Sequence, residues 1–162
     1  NPFFADGRSM RGQPEGTVAQ GMLQDDPAFF TGTTDGDSLW VDVSPVEVTR
    51  ELVDRGQERF GVFCAPCHGL SGNGNGPVHI RAAGLAEGTW TPPTDLATDV
   101  VAAQPAGQIY NTIKNGIRNM PAYGPQISPE DRWAIVSYVR AIQASRGSDI
   151  GDLPEDARKQ LN

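Results

Sequence analysis

Apolar residues recur with a helical period at three places along the chain. From about Val46 to Phe63, Leu52, Gly56, Phe60 and Phe63 return at spacings that put them on one face of a helix. Gly56 lies on that stripe, where glycine costs about 1 kcal/mol of helix propensity against alanine, so its expected use is to admit a second helix at close range. Between Gly107 and Asn115, Ile109 and Ile113 stand four apart ahead of Gly116, which predicts a short helix closed by a C-terminal glycine. Ser128-Pro129-Glu130-Asp131 combines a capping hydroxyl, a first-turn proline and acids suited to the positive end of a helix dipole. Behind it, Trp133, Ala134, Ile135, Val136, Tyr138, Val139, Ala141 and Ile142 form the most apolar segment, ending before Gly147. It is the natural partner for the Gly56 stripe.

Elsewhere the pattern is irregular. The segment 69–105 is read as largely loop, with Gly72, Gly74, Gly76, Pro77, Gly84, Gly88, Pro92 and Pro93 along it. A loop of that length inside a compact domain needs an organiser other than secondary structure, and a bound cofactor is one. Residues 1–44 show no sustained period and are read as an extended arm. Phe3, Phe4, Met22, Leu23, Phe29, Phe30, Leu39 and Trp40 make it too apolar for a solvated tail, so it needs a surface, either its own domain or a neighbouring subunit. Residues 45–145 then form one helical domain and residues 146–162 a polar tail. No apolar run approaches the 18 or so residues of a membrane span, and no signal-peptide pattern is visible, so Asn1 reads as a mature or trimmed end.

Composition narrows the function classes. The chain has 162 residues, 13 Lys and Arg against 20 Asp and Glu, and a net charge of −7, which argues against a nucleic-acid partner. Seven acids and two bases fall in residues 1–44, whereas 45–145 is nearly neutral, so the acidity belongs mainly to the arm. With only 38% hydrophobic residues, 19 glycines and 13 prolines, a modest core is expected.

Both cysteines lie in Cys64-Ala65-Pro66-Cys67-His68. This spacing is the attachment sequence of c-type haem, in which two thiols add to the porphyrin vinyl groups and the adjacent histidine becomes the proximal iron ligand. Three readings compete with it: a disulfide or thioredoxin-like pair, a zinc site recruiting His68 and His79, and a chance match. Covalent haem implies an extracytoplasmic location and supplies an apolar body around which glycine-rich loops pack. Met120, followed by Pro121, which biases it toward an extended backbone, is the favoured distal iron ligand; Met10, Met22 and His79 are the other candidates. A neutral thioether favours Fe(II) and raises the potential relative to a second histidine.

These residues resemble the class I cytochrome c family. An amphipathic helix runs into Cys64-Ala65-Pro66-Cys67-His68-Gly69, a glycine-rich loop leads to Gly76-Pro77, a Met120-Pro121-Ala122-Tyr123 segment follows, and a hydrophobic helix closes the domain. The resemblance covers about residues 47–144. It implies a mainly α fold of three to five short helices around one covalent haem c, with first and last helices crossing through Gly56 or Phe60 and Tyr138 or Trp133. It also implies that the carbonyl of Pro77 accepts from His68 Nδ1. The N-terminal run Phe3-Phe4-Ala5-Asp6-Gly7-Arg8-Ser9-Met10-Arg11, followed by Pro14-Glu15-Gly16-Thr17-Val18-Ala19, resembles the monohaem cytochrome c subunit of bacterial alternative complex III.

That second resemblance implies an electron carrier rather than an enzyme, peripheral on the periplasmic face of the inner membrane and without a transmembrane segment of its own. Its partners would be a multihaem cytochrome and an iron–sulfur subunit, contacted partly through residues 1–44, with a soluble carrier or terminal oxidase as acceptor. Subunits of that complex include lipoproteins, which makes a lipid anchor ahead of Asn1 an open expectation. The alternatives are a free periplasmic shuttle and a haem sensor or enzyme with a displaceable sixth ligand.

Overall fold

The computed structural model describes residues 2–7, 14, 16–18, 23–34, 39–85, 90–155 and 158. Seven α-helices follow one another among them: α1 Pro27–Thr31, α2 Arg50–Phe63, α3 Ala65–His68, α4 Pro77–Gly84, α5 Asp99–Ala102, α6 Ala106–Asn115 and α7 Pro129–Gly147. A 3-10 turn follows at Ile150–Asp152. The fold is mainly helical; among the described residues, β-structure is limited to isolated bridges at Thr33–Trp40 and Ile117–Met120.

The helix α2 starts where Thr49 caps the amide of Leu52, and α7 starts where Ser128 caps that of Asp131 with Pro129 in the first turn. They cross where Gly56 meets Ala134: a Cβ at Gly56 would lie 2.6 Å from the Ala134 carbonyl carbon and 2.9 Å from Tyr138 Cβ. Phe60 packs edge-on against Tyr138 beside this crossing, with ring centroids 5.3 Å apart. Asp131 on α7 receives Arg55 at 2.7 Å and faces Arg59 at 3.1 Å, tying the solvent side of the same pair. The stripes expected to meet do meet.

Against α7 lies α6, whose Tyr110 stacks on Trp133 at 4.4 Å; both are fully buried, as is Phe60. Aromatic side chains of this kind contribute about 2–3 kcal/mol each on burial, so this cluster supplies much of a modest core. Arg132 is buried beside it, donating to Ile127 O at 3.0 Å and Tyr110 Oη at 2.7 Å, with its guanidinium 4.8 Å from the Tyr110 ring.

One expectation changes. The second half of the N-terminal segment is not extended: Asp26 caps α1, and the last carbonyls of that helix, which have no intrahelical partner, are met by side chains of the helical domain. Trp133 Nε1 donates to Phe29 O at 2.8 Å, while Lys114 Nζ and Tyr110 Oη donate to Phe30 O at 3.0 and 3.3 Å. Gly107 N–H then donates to Val41 O at 2.9 Å, carrying the docking on to residue 41. This part of the segment packs on its own chain. The segment 69–105 is largely loop, interrupted by two short helices where Pro77 takes the first position of α4 and Thr98 caps α5.

Candidate functional site

The attachment motif sits on consecutive turns. Helix α2 ends at Phe63, and Cys64 closes it, its amide donating to Phe60 O at 2.9 Å, while its own carbonyl accepts from His68 N at 2.8 Å and Cys67 N at 3.1 Å. One short helix therefore presents Cys64, Cys67 and His68 together. The two cysteines are not joined in a disulfide. Burial, reinforced by neighbouring Cys67, pushes the Cys64 thiol up to about 12, so it stays protonated at neutral pH.

The His68 imidazole is held from the side. Its Nδ1 lies 3.2 Å from the backbone carbonyl of Thr94, an acceptor that requires Nδ1–H and reserves Nε2 for a ligand. Burial holds the His68 pKa below its ordinary value, and the Thr94 carbonyl opposes that in part. The acceptor expected here was Pro77; the structure corrects that, because Pro77 is spent as the first residue of α4 and the chain brings Thr94 to the ring instead.

Met120 is partly buried at the end of a tight turn in which Ile117 and Met120 exchange backbone hydrogen bonds at 2.9 and 3.1 Å. Arg118 takes the left-handed conformation, φ 51°, that a mirror-image turn demands at its first central position. Gly116, at φ 76°, is also required: a Cβ there would stand 2.9 Å from Ala122 N and from the Pro121 carbonyl carbon. Three residues on, Tyr123 packs edge-on to Phe63 with centroids 6.3 Å apart, and its phenol is raised by burial and then by Cys67 and Cys64. The Met120 segment is thus anchored beside the helix end that carries the thiols. Asn119 Nδ2 also donates to Thr91 Oγ1 at 3.3 Å, so the stretch 91–94 touches the neighbour of Met120 at one end and His68 at the other.

Of the remaining sequence candidates, His79 is engaged elsewhere. His79 Nδ1 accepts from Trp90 Nε1 at 2.8 Å, with the two rings stacked 6.3 Å apart. Among the described residues no group of three His, Cys, Asp or Glu side chains could hold a metal ion, which leaves the zinc reading without a ligand set. Met10 and Met22 lie outside the described residues.

The family model described as cytochrome c oxidase, cbb3-type, subunit III matches residues 51–139, which run from α2 through Met120 into α7. The chain belongs to this cytochrome c family. Cytochrome c domains bind haem and carry electrons, and the donor set fits: two unpaired thiols, an imidazole with Nδ1 engaged, and a thioether.

The cytochrome is 36% identical over 89 residues to the cbb3-type cytochrome c oxidase subunit FixP of Azorhizobium caulinodans, covering 54% of this chain and 26% of that protein. It is 28% identical over 105 residues to the cytochrome bc1 complex cytochrome c subunit of Corynebacterium diphtheriae, covering 62% and 32%. The chain thus spans about a quarter to a third of the length of these curated relatives. Among solved structures, the Kuenenia stuttgartiensis reducing HAO-like protein complex Kustc0457/Kustc0458 shares the fold, with a TM-score of 0.50 at 23% identity over 72% of this chain and 54% of that one.

Residues that sequence reasoning missed are Thr94, Thr91 and Asn119. The first acts through its main chain, so no side-chain identity announces it; only Pro92-Pro93, a stiff pair ahead of it, hints that the segment is positioned.

Proposed function

We propose that this cytochrome c carries one covalent haem c, bonded through Cys64 and Cys67, with His68 as proximal and Met120 as distal iron ligand. It acts as the monohaem electron-transfer subunit of a quinol-oxidising respiratory complex of the alternative complex III type. The observation that carries the haem assignment is the juxtaposition of two unbridged cysteines and an Nδ1-anchored imidazole on one helical turn. Haem, when bound there, supplies a reversible one-electron Fe(III)/Fe(II) couple.

The chain's own residues hold and tune that group. Cys64 and Cys67 fix its edge, the Thr94 carbonyl sets the tautomer and basicity of His68, and Met120 offers a soft neutral donor. Were His68 and Met120 both to hold the iron, no coordination position would be left for a substrate, which favours a carrier over a sensor or enzyme. Assignment to the complex rests on the resemblance of residues 3–19. On this reading the protein sits on the extracytoplasmic face, with a multihaem cytochrome and an iron–sulfur subunit as partners and a soluble carrier or terminal oxidase downstream. No helix among the described residues is long and apolar enough to cross a membrane.

Two experiments test the parts separately. Met120→His is expected to lower the midpoint potential and abolish the long-wavelength sulfur-to-iron band; an unchanged band would assign the sixth ligand elsewhere. Purification of the native protein in mild detergent is expected to bring multihaem and iron–sulfur subunits with it, whereas recovery as a lone monomer would leave a free shuttle.

A further inference from the structure

The segment that supplies the His68 acceptor is not held by its own secondary structure. Residues 91–98 precede α5, and beyond their bonds to His68 and Asn119 they are held by α7 and by the Gly72 carbonyl. Arg146, in the last turn of α7, grips the carboxylate of Asp95 through one guanidinium nitrogen, 2.6 Å from each oxygen, and with another donates to Ser71 O at 2.7 Å. Gln143, one turn earlier, donates to Leu96 O at 2.8 Å, its amide oriented by Arg140 at 2.8 Å. Leu96 N–H donates to Gly72 O at 2.8 Å. Ser71 lies three residues after His68 and Asp95 one after Thr94, so a single guanidinium spans the two chain segments whose spacing sets the His68–Thr94 hydrogen bond.

We infer that Arg146 and Asp95 are positioning residues for the proximal ligand, clamping the Thr94 carbonyl onto His68 Nδ1 and thereby setting the reduction potential. The ion pair itself adds little stability, since the two side chains are 33% and 35% exposed. Its value is geometric: a forked donor reaches two acceptors at once, which lysine cannot do from a point charge. The hydrogen bond to Thr94 raises imidazole basicity and favours Fe(III), so loosening it raises the potential. This inference rests on the haem reading above.

The test uses the full-length haem-loaded protein carrying Arg146→Ala or Asp95→Asn. If the pair acted only through its charges, removing the cation would lower the potential and removing the anion would raise it. The clamp instead requires both variants to raise it, by a threefold to tenfold change in the reduction equilibrium, the upper limit corresponding to about 59 mV. In the reduced protein the His68 Nδ1 proton is expected to exchange with solvent faster in both. Should Arg146→Ala fail to take up haem, Arg146→Lys keeps the charge, loses the fork and carries the same expectation. Arg50→Ala, at an exposed pair on α2, is the control and leaves both readouts unchanged. Shifts of opposite sign, no shift, or unaltered proton exchange would overturn the clamp while leaving the haem assignment standing. Wild-type protein without covalent haem would overturn both.

Discussion

The imidazole Nδ1 of His68 stands 3.2 Å from the main-chain oxygen of Thr94, twenty-six positions away in sequence. Because the acceptor is backbone, the Thr94 side chain is dispensable. Thr94→Val is expected to leave the midpoint potential unchanged and stability within about 0.5 kcal/mol, as for other exposed substitutions. A potential shift in Thr94→Val as large as that of Arg146→Ala would show that the hydroxyl takes part.

The α2–α7 crossing depends on the missing side chain of Gly56. A Cβ there would run into the Ala134 carbonyl, with its carbon at 2.6 Å, and neither helix backbone yields cheaply. Gly56→Ala gains about 1 kcal/mol of helix propensity but overpacks the crossing at a cost of 1–3 kcal/mol, with backbone contact at the upper end. A net loss of about 2 kcal/mol in urea unfolding is expected; a gain in stability would mean the helices cross elsewhere.

Deleting residues 1–42 removes the acceptors of Trp133 Nε1, Tyr110 Oη and Lys114 Nζ. Fully buried Trp133 is the donor that depends most on its acceptor, and stability is expected to fall by about 1–3 kcal/mol. Unfolding midpoints of the deleted and full-length proteins check this.

Burial pushes the Tyr110 phenol from 10 up to about 12, with the cation of Arg132 opposing in part. The fold therefore favours the neutral phenol. This contribution to stability is complete below pH 10 and is lost as pH rises from there through about 12. Denaturant stability measured across that window is expected to decline more steeply in wild type than in Tyr110→Phe; parallel curves would contradict it.

What the sequence discloses follows from how each feature is encoded. The helices α2, α6 and α7 are legible because each presents a periodic apolar face and a cap or terminating glycine. So are Cys64, Cys67 and His68, whose chemistry is in their spacing. The helix α1 has five residues and no period of its own; Trp133, Tyr110 and Lys114, eighty or more positions away, decide it. The role expected of Pro77 passes to Thr94 because a carbonyl acceptor can come from any residue, and only the folded path of 91–98 selects which. The turn that carries Met120 depends on Arg118 in a left-handed conformation, which arginine composition does not signal.

The central claim is that Cys64 and Cys67 are bonded to haem. Its most direct measurement is the intact mass of the purified native polypeptide under denaturing conditions, read beside its visible spectrum. The account predicts a chain heavier than its amino acids by one haem, with no titratable thiol and with the added mass abolished in Cys64→Ala/Cys67→Ala. A colourless chain at its bare polypeptide mass with two free thiols would contradict it.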